Sequence, residues 1–217
     1  MATDAPLMGE PLPVELMNTV WADRDGVHDS LGDRDAAYAW LESVAPRIDI
    51  DAASLTRAAA AGSGPDQDAA LLLRRLRDSL RRLAAEATAD DRAAAASPVA
   101  DVSSAVGEVN EVLRSAASWP VLVADGNGGW TRRVESARGP LPAAVGSIAS
   151  EAIDLFAGPL RGELRACRAP GCVLYFVRHH PRREWCSAAC GNRARVARHY
   201  HRHAGSRGSG IVPPPCE

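Results

Sequence analysis

Residues 185–203 read WCSAACGNRARVARHYHRH. Two cysteines four positions apart are followed without a break by a run of arginines and histidines at helical spacing. Such a stretch is either a basic helix that happens to carry two thiols, or the second half of a metal module that holds a positive helix out toward a polyanion. Cys167 and Cys172, in CRAPGC, decide between them. C-x4-C and C-x3-C, thirteen residues apart, provide four thiolates for one tetrahedral ion, and zinc accepts four such ligands with no open position. Ala169-Pro170-Gly171 between the first pair is a turn able to aim both thiolates inward. VLYFV, 173–177, reads as a strand, HHPRR as a turn, and EWC leads into a helix whose first turn carries Cys190.

The expected product is a knuckle, hairpin and helix sharing one structural zinc, similar in outline to treble-clef fingers. Fewer than fifty residues bury little core, and zinc binding of ~10–16 kcal/mol in small fingers supplies the difference. Four unmetallated thiols are the competing reading, and paired spacing at both ends weighs against it. A catalytic zinc is disfavoured because a four-cysteine shell leaves no place for water or substrate. His179 and His180 lie in the expected turn and read as exposed, and Cys216 as a spare thiol in the tail.

After Cys190, Arg195, Arg198 and Arg202, flanked by His199, form a stripe at three-to-four spacing. Val196 and Tyr200 lie on a different side and are expected to pack onto the hairpin. Asn192 and Arg193 could reach bases or orient the knuckle. Arginine reads guanine in the major groove and also binds phosphate, and sequence does not separate the two roles.

Charge along the 217 residues supports a polyanion partner. Residues 1–160 carry 14 Arg and 24 acids, a net −10; residues 161–217 carry 11 Arg and 3 acids, a net +8, with five of the six histidines. An acidic body before a basic end points to nucleic acid; mutual neutralisation within the fold is the plainer alternative. The N-terminus lacks the basic and long apolar regions of a signal peptide, and no apolar run reaches the ~18–20 residues of a membrane span. The expected location is cytoplasmic, where closely spaced cysteines bind metal rather than pair.

Outward toward the N-terminus, helical patterns dominate. LPVELMNTV is short enough to start a helix or a strand. A helix follows with Asp35 as N-cap and Ala37, Tyr38, Trp40, Leu41 and Val44 as its apolar side, ending near Ala45, just before Pro46. Asp51–Ala61 is a short helix, GSGPDQD a linker, and Pro65 to about Ala87 an amphipathic helix with leucines at 72, 76, 80 and 83. Its Arg74, Arg75, Arg77, Arg81 and Arg82 read as the solvated back. Val99–Ala117 is helix or strand. VLVADGNGGWTRRVES is a β-hairpin; its glycines make a turn rather than a phosphate loop, because the chain has no lysine. Pro142 opens a helix with Val145, Ile148, Ala149, Ala152, Ile153 and Phe156 on one face, closed by Gly158-Pro159. The expected fold is therefore α+β: a mostly helical body with a hairpin or small antiparallel sheet (1–160), a four-cysteine finger (161–206) and a flexible tail (207–217).

CRAPGC, the tryptophan of EWC, CSAACGNR and the basic helix strongly resemble the CGNR zinc-finger family of bacterial proteins. The name comes from the tetrad standing here as Cys190-Gly191-Asn192-Arg193. Many members space the last two cysteines one residue wider, and both spacings reach one metal. LPVELMNTV, HDSL, YAWLESV and SIASEAIDLFAGP resemble the domain that usually precedes this finger, called ABATE and associated with stress-induced transcription regulation. The resemblance implies zinc on Cys167, Cys172, Cys186 and Cys190, and a role in binding DNA.

The reading is a zinc-dependent DNA-binding transcription regulator, its body sensing a signal or mediating assembly. Asn192, Arg193, Arg195, Arg198, His199 and Arg202 are its nucleic-acid residues, and double-stranded DNA is its partner. Asn18, Thr19 and Asp29 could line a pocket for a small effector, although caps and turns use the same residue types. Specific recognition by one finger would call for a homodimer. The alternative is a zinc-stabilised protein-interaction module. No HExxH, nucleophile elbow or dinucleotide fingerprint suggests an enzyme.

Overall fold

The first apolar run resolves as a helix because Pro13 takes a first-turn position, where its missing N–H costs nothing. This helix, α1 (Leu12–Met17), is wholly buried, including Glu15, in the computed structural model, which describes residues 7–60 and 69–205. The sequence-based expectations for the 61–68 linker and helix start, for the 207–217 tail and for Cys216 fall outside the described residues. The chain then forms the hairpin β1 (Val20–Ala22) and β2 (Val27–Asp29), followed by α2 (Arg34–Val44), α3 (Ala52–Ala60), α4 (Ala69–Thr88) and α5 (Val102–Ala116). A second hairpin, β3 (Ser118–Ala124) with β4 (Trp130–Ser136), precedes α6 (Pro140–Ala157). The C-terminal part contains β5 (Leu164–Ala166), β6 (Tyr175–Val177) and α7 (Ala188–Gly205). Each pair of strands is an antiparallel two-stranded sheet, so the fold is a helical body with small sheets followed by the four-cysteine region.

Helix α2 buries the five apolar residues its pattern names, but its N-cap is Asp33, whose carboxylate accepts from the Ala36 N–H, and not Asp35, which lies inside the first turn. Val99–Ala117 resolves as α5, capped by Asp101 through the Ser104 N–H. Helix α6 starts at Pro140, two residues before Pro142. Of its expected face Val145, Ile148, Ala149 and Ala152 are buried, whereas Ile153 is exposed and Leu155 takes its place.

Helix α4 departs most from its pattern. Leu73, Leu76 and Leu80 are buried, and so are Arg77 and Arg81, which the pattern assigned to solvent. Arg77 is neutralised by Asp29 at 2.5 Å and Asp78 at 2.9 Å. Arg81 instead donates to the carbonyls of Met17 (2.9 Å) and Ala95 (3.0 Å), and it lies over the Tyr175 ring at 5.3 Å. Carboxylates for Arg77 and backbone carbonyls for Arg81 are what let these guanidiniums go inside, and a carbonyl is something no residue pattern reveals.

Helices α1, α2, α4 and α6 enclose the main core. Leu164 of β5 and Tyr175 and Val177 of β6 belong to it as well. The alternation of a strand puts Phe176 on the opposite side, against the cysteines. One three-residue strand is thus seated in the body and against the cysteines at once. Among the described residues no helix is long and apolar enough to cross a membrane.

Candidate metal centre

Strand β6 pairs with β5, upstream of the first cysteine, rather than with the segment after HHPRR. The hairpin loop is therefore the knuckle itself. The Cys167 N–H reaches the Leu174 carbonyl (2.9 Å) and the Cys172 N–H reaches Ala169 O (3.0 Å), while Gly171, at φ +72°, makes the left-handed step that turns Cys172 inward. On the other side Ser187 caps α7, its Oγ accepting from the Cys190 N–H at 3.2 Å. Cys190 thus sits in the first turn of α7. His179 and His180 are exposed and outside the cluster.

The four Sγ atoms all lie within 4.8 Å of one another and all four residues are buried. Cys172 and Cys186 are 3.9 Å apart and Cys186 and Cys190 3.4 Å. A tetrahedral ion with bonds of about 2.3 Å sets its sulfurs about 3.8 Å apart, so the cluster has the dimensions of a zinc site. The electrostatics agree. Cys167 is held down to about 2 by hydrogen bonds from Cys172 and Cys186, whereas Cys172 is pushed up to about 12 by Cys167, and Cys186 is pushed up by Cys167 and Cys172 together. Sulfurs this close do not all ionise unless a cation lies among them, and a divalent ion removes the conflict. The cluster can bind one zinc ion, whose chemistry here is structural.

The tetrad 190–193 acquires physical roles. Cys190 is a ligand. A Cβ on Gly191 would stand 3.1 Å from Trp185 Cδ1, so glycine lets the indole lie on the helix. Asn192 Oδ1 accepts from Arg195 Nη2 at 2.5 Å, and Arg193 Nη2 donates to Cys190 Sγ at 3.0 Å.

Several supporting residues come from the body and were not singled out by the sequence. Arg92, just after α4, donates through one nitrogen to the carbonyls of Cys167 (2.6 Å) and Cys172 (2.5 Å), and its Nη2 pairs with buried Asp90 at 2.6 Å. Asp90 also accepts from the Tyr175 hydroxyl at 2.8 Å. Burial acts to raise the Asp90 pKa, but Arg92 and Tyr175 outweigh it and hold the carboxyl below its ordinary value. Glu10, 1% exposed, accepts from the Val177 N–H (2.9 Å) and Arg183 Nη2 (2.5 Å), and Arg183 also reaches Cys186 O at 3.0 Å. An Asp-Asp-Arg run closing an arginine-rich helix was the one available hint.

The three residues considered for an effector pocket have internal partners. Asn18 reproduces a strand edge, donating to Tyr175 O and accepting from Tyr175 N, both at 2.9 Å. Thr19 Oγ1 donates to Leu16 O, and Asp29 accepts from the Leu31 N–H and Arg77. The structure brings Asn18 and Thr19 together beside β6 and sets Asp29 in the α4 ion pair.

On α7, Ala194 is the last buried side chain described. Val196 and Tyr200, expected to pack onto the hairpin, are instead 54% and 70% exposed, because the helix passes the edge of the body after Ala194. Asn192, Arg193, Arg195, Arg198, His199 and Arg202 are exposed along it.

Two family models match the chain. ABATE, described as "Putative stress-induced transcription regulator", covers residues 10–159, and the CGNR zinc finger covers residues 163–203. No curated protein matches the sequence.

Proposed function

The chain belongs to the ABATE family and carries a CGNR zinc finger behind that domain; on that premise we propose that it is a zinc-dependent DNA-binding transcription regulator whose helix α7 meets double-stranded DNA. The supporting observation is how the arginines divide. Those of the finger nearest the body are spent on carboxylates: Arg168 on Asp91 (2.9 Å), Arg178 on Glu163 (3.0 Å) and Arg183 on Glu10 (2.5 Å). Arg195, Arg198 and Arg202 have no ion pair among the described residues, and Arg193 is turned toward the Cys190 sulfur rather than a carboxylate. Internal neutralisation accounts for the first group and leaves the second for an external polyanion.

Zinc holds Cys190, and through it the first turn of α7, against the knuckle, so the helix is ordered before it meets a partner and that cost is not met on binding. A single helix spans few base pairs, and a homodimer would supply a second half-site. The body would then sense a signal or carry that assembly. Both matched families are of regulator and zinc-finger type rather than enzyme families.

A second reading draws on Val196 and Tyr200, which are exposed on α7 beside the arginine stripe and would suit a protein partner. Duplex binding by zinc-loaded protein across salt concentrations separates the two. The DNA reading expects a steep salt slope that falls by about one for each of Arg195→Ala and Arg202→Ala, and loss of binding in Cys172→Ser. Duplex selection from a random pool would then give the recognised sequence. Absence of binding by a protein with its full zinc content would move the assignment to the interaction module.

A further inference from the structure

We propose that the cleft between the β3–β4 hairpin and α6 binds a small zwitterion of the α-amino-acid class, and that its occupancy reaches the zinc finger through Glu10. The cleft has a volume of about 370 Å³, near the lower end of small-molecule sites. Its lining carries both signs of charge: Arg47, from the turn after α2, and Arg132, on β4, with Asp49 beside Arg132, and Glu151 and Asp154, one turn apart on α6. Trp119 supplies an aromatic wall.

Polar groups in the cleft remain to be used. The Asp154 carboxylate and the hydroxyls of Ser147 and Ser150 have no partner among the described residues. Arg132 is committed to Asp49, but both side chains are about half exposed, a pair worth little and easily exchanged. A simple anion would meet Glu151 and Asp154, and a simple amine would gain nothing from the exchangeable Arg132. A molecule with a carboxylate at one end and an ammonium at the other uses both kinds of group.

Two of the wall residues also hold the segment that grips the finger. Glu151 Oε1 accepts from the Leu12 N–H at 2.9 Å. Arg47 donates to the Glu10 carbonyl oxygen and reaches Glu15 at 3.4 Å. The Glu10 carboxylate in turn binds β6 and Arg183, which binds Cys186 O. A ligand bridging both kinds of group fixes Arg47 and Glu151, and through residues 10–12 it stabilises the loop of the third zinc ligand. The binding half stands independently of the DNA assignment. The regulatory half names what the body senses and rests on the finger being the output.

The test uses zinc-loaded full-length protein with each of the twenty standard amino acids at millimolar concentration, read by melting temperature and calorimetry. A subset of them should bind. Arg132→Ala and Asp154→Asn, both at exposed positions and checked for unchanged zinc content, should each lower affinity roughly tenfold. The amide and the deaminated acid of the best binder should lose about as much. Transfer of zinc to a coloured chelator should slow several-fold at saturation, and in Glu10→Gln the ligand should still bind without slowing it. Absence of binding by all twenty, or binding indifferent to both substitutions, overturns the site. Binding with unchanged zinc transfer overturns the coupling. None of these measurements uses DNA, so failure of the DNA assignment would be recognised separately.

Discussion

Arg92 shows what a single side chain can hold. Its guanidinium satisfies two knuckle carbonyls and a carboxylate that is 1% exposed, while its own side chain keeps only 17% exposure. Replacement by methionine leaves all three acceptors facing little or no water, and the expected loss is ~2–4 kcal/mol in urea unfolding. A loss below ~1 kcal/mol would mean water takes over the fork. Asp90 adds a pH dependence of known sign. Its folded pKa lies below the ordinary 3.8, so its contribution is fully present above that value and disappears as pH falls through the folded one. The stability of Asp90→Asn should therefore change less than that of the parent in this acid range. At the ligands, Cys172→Ser leaves three thiolates and an alcohol. The expected product contains no stoichiometric zinc by elemental analysis and has lost the near-UV signal of Trp185, because zinc supplies ~10–16 kcal/mol in modules of this size.

Among the elements, α6 and its seat on the second hairpin turn on Gly146. A Cβ there would meet Ala116 Cβ and Ser118 Oγ, both at 2.7 Å. Gly146→Ala ought to gain ~1 kcal/mol from helix propensity and lose ~1–3 kcal/mol to overpacking, a net destabilisation measurable by thermal melting. A stabilised variant would refute the close approach. The same hairpin has two unequal edges. The Val134 N–H on β4 bonds to Asp49 O at 2.5 Å, so Val134 and its partner Pro120 point their backbone nitrogens away from each other. The free edge of β3 therefore presents a proline in place of a donor, which discourages pairing with another strand.

For the whole molecule, the finger and body share one hydrophobic core and a set of buried polar contacts through Glu10, Asn18, Arg81 and Asp90. Zinc removal should then weaken both. Helical circular dichroism and chelator-detected zinc release are expected to follow a single heat transition, and the metal-free chain to melt well below the zinc form. A body that melts at an unchanged temperature after chelation would show that the contacts at β6 are dispensable. The proposed ligand effect would follow the same contacts, from the hairpin cleft to Cys186 through residues 10–12 and Arg183.

Much of this protein follows from local rules. Thiols at 167, 172, 186 and 190 need only chain geometry to share an ion, and the helical stretches of α2, α4 and α6 need only apolar periodicity and proline positions, so both were legible in the sequence. The acid-to-base change near residue 160 was equally plain. What was not legible depends on groups that are remote in the chain or identical in every residue. Arg77 and Arg81 went inside because Asp29 and backbone carbonyls awaited them, and a carbonyl leaves no mark in a residue pattern. Asn18 drew notice as a polar residue ending an apolar run, but that its partner is the backbone of Tyr175, 157 positions away, follows only from the path of the chain. The same holds for Val196 and Tyr200, whose exposure was decided by where the body ends beneath α7. Short-range periodicity and spacing determine elements and ligand sets; burial of charge, and the choice of which arginines remain free, are settled only when distant segments meet.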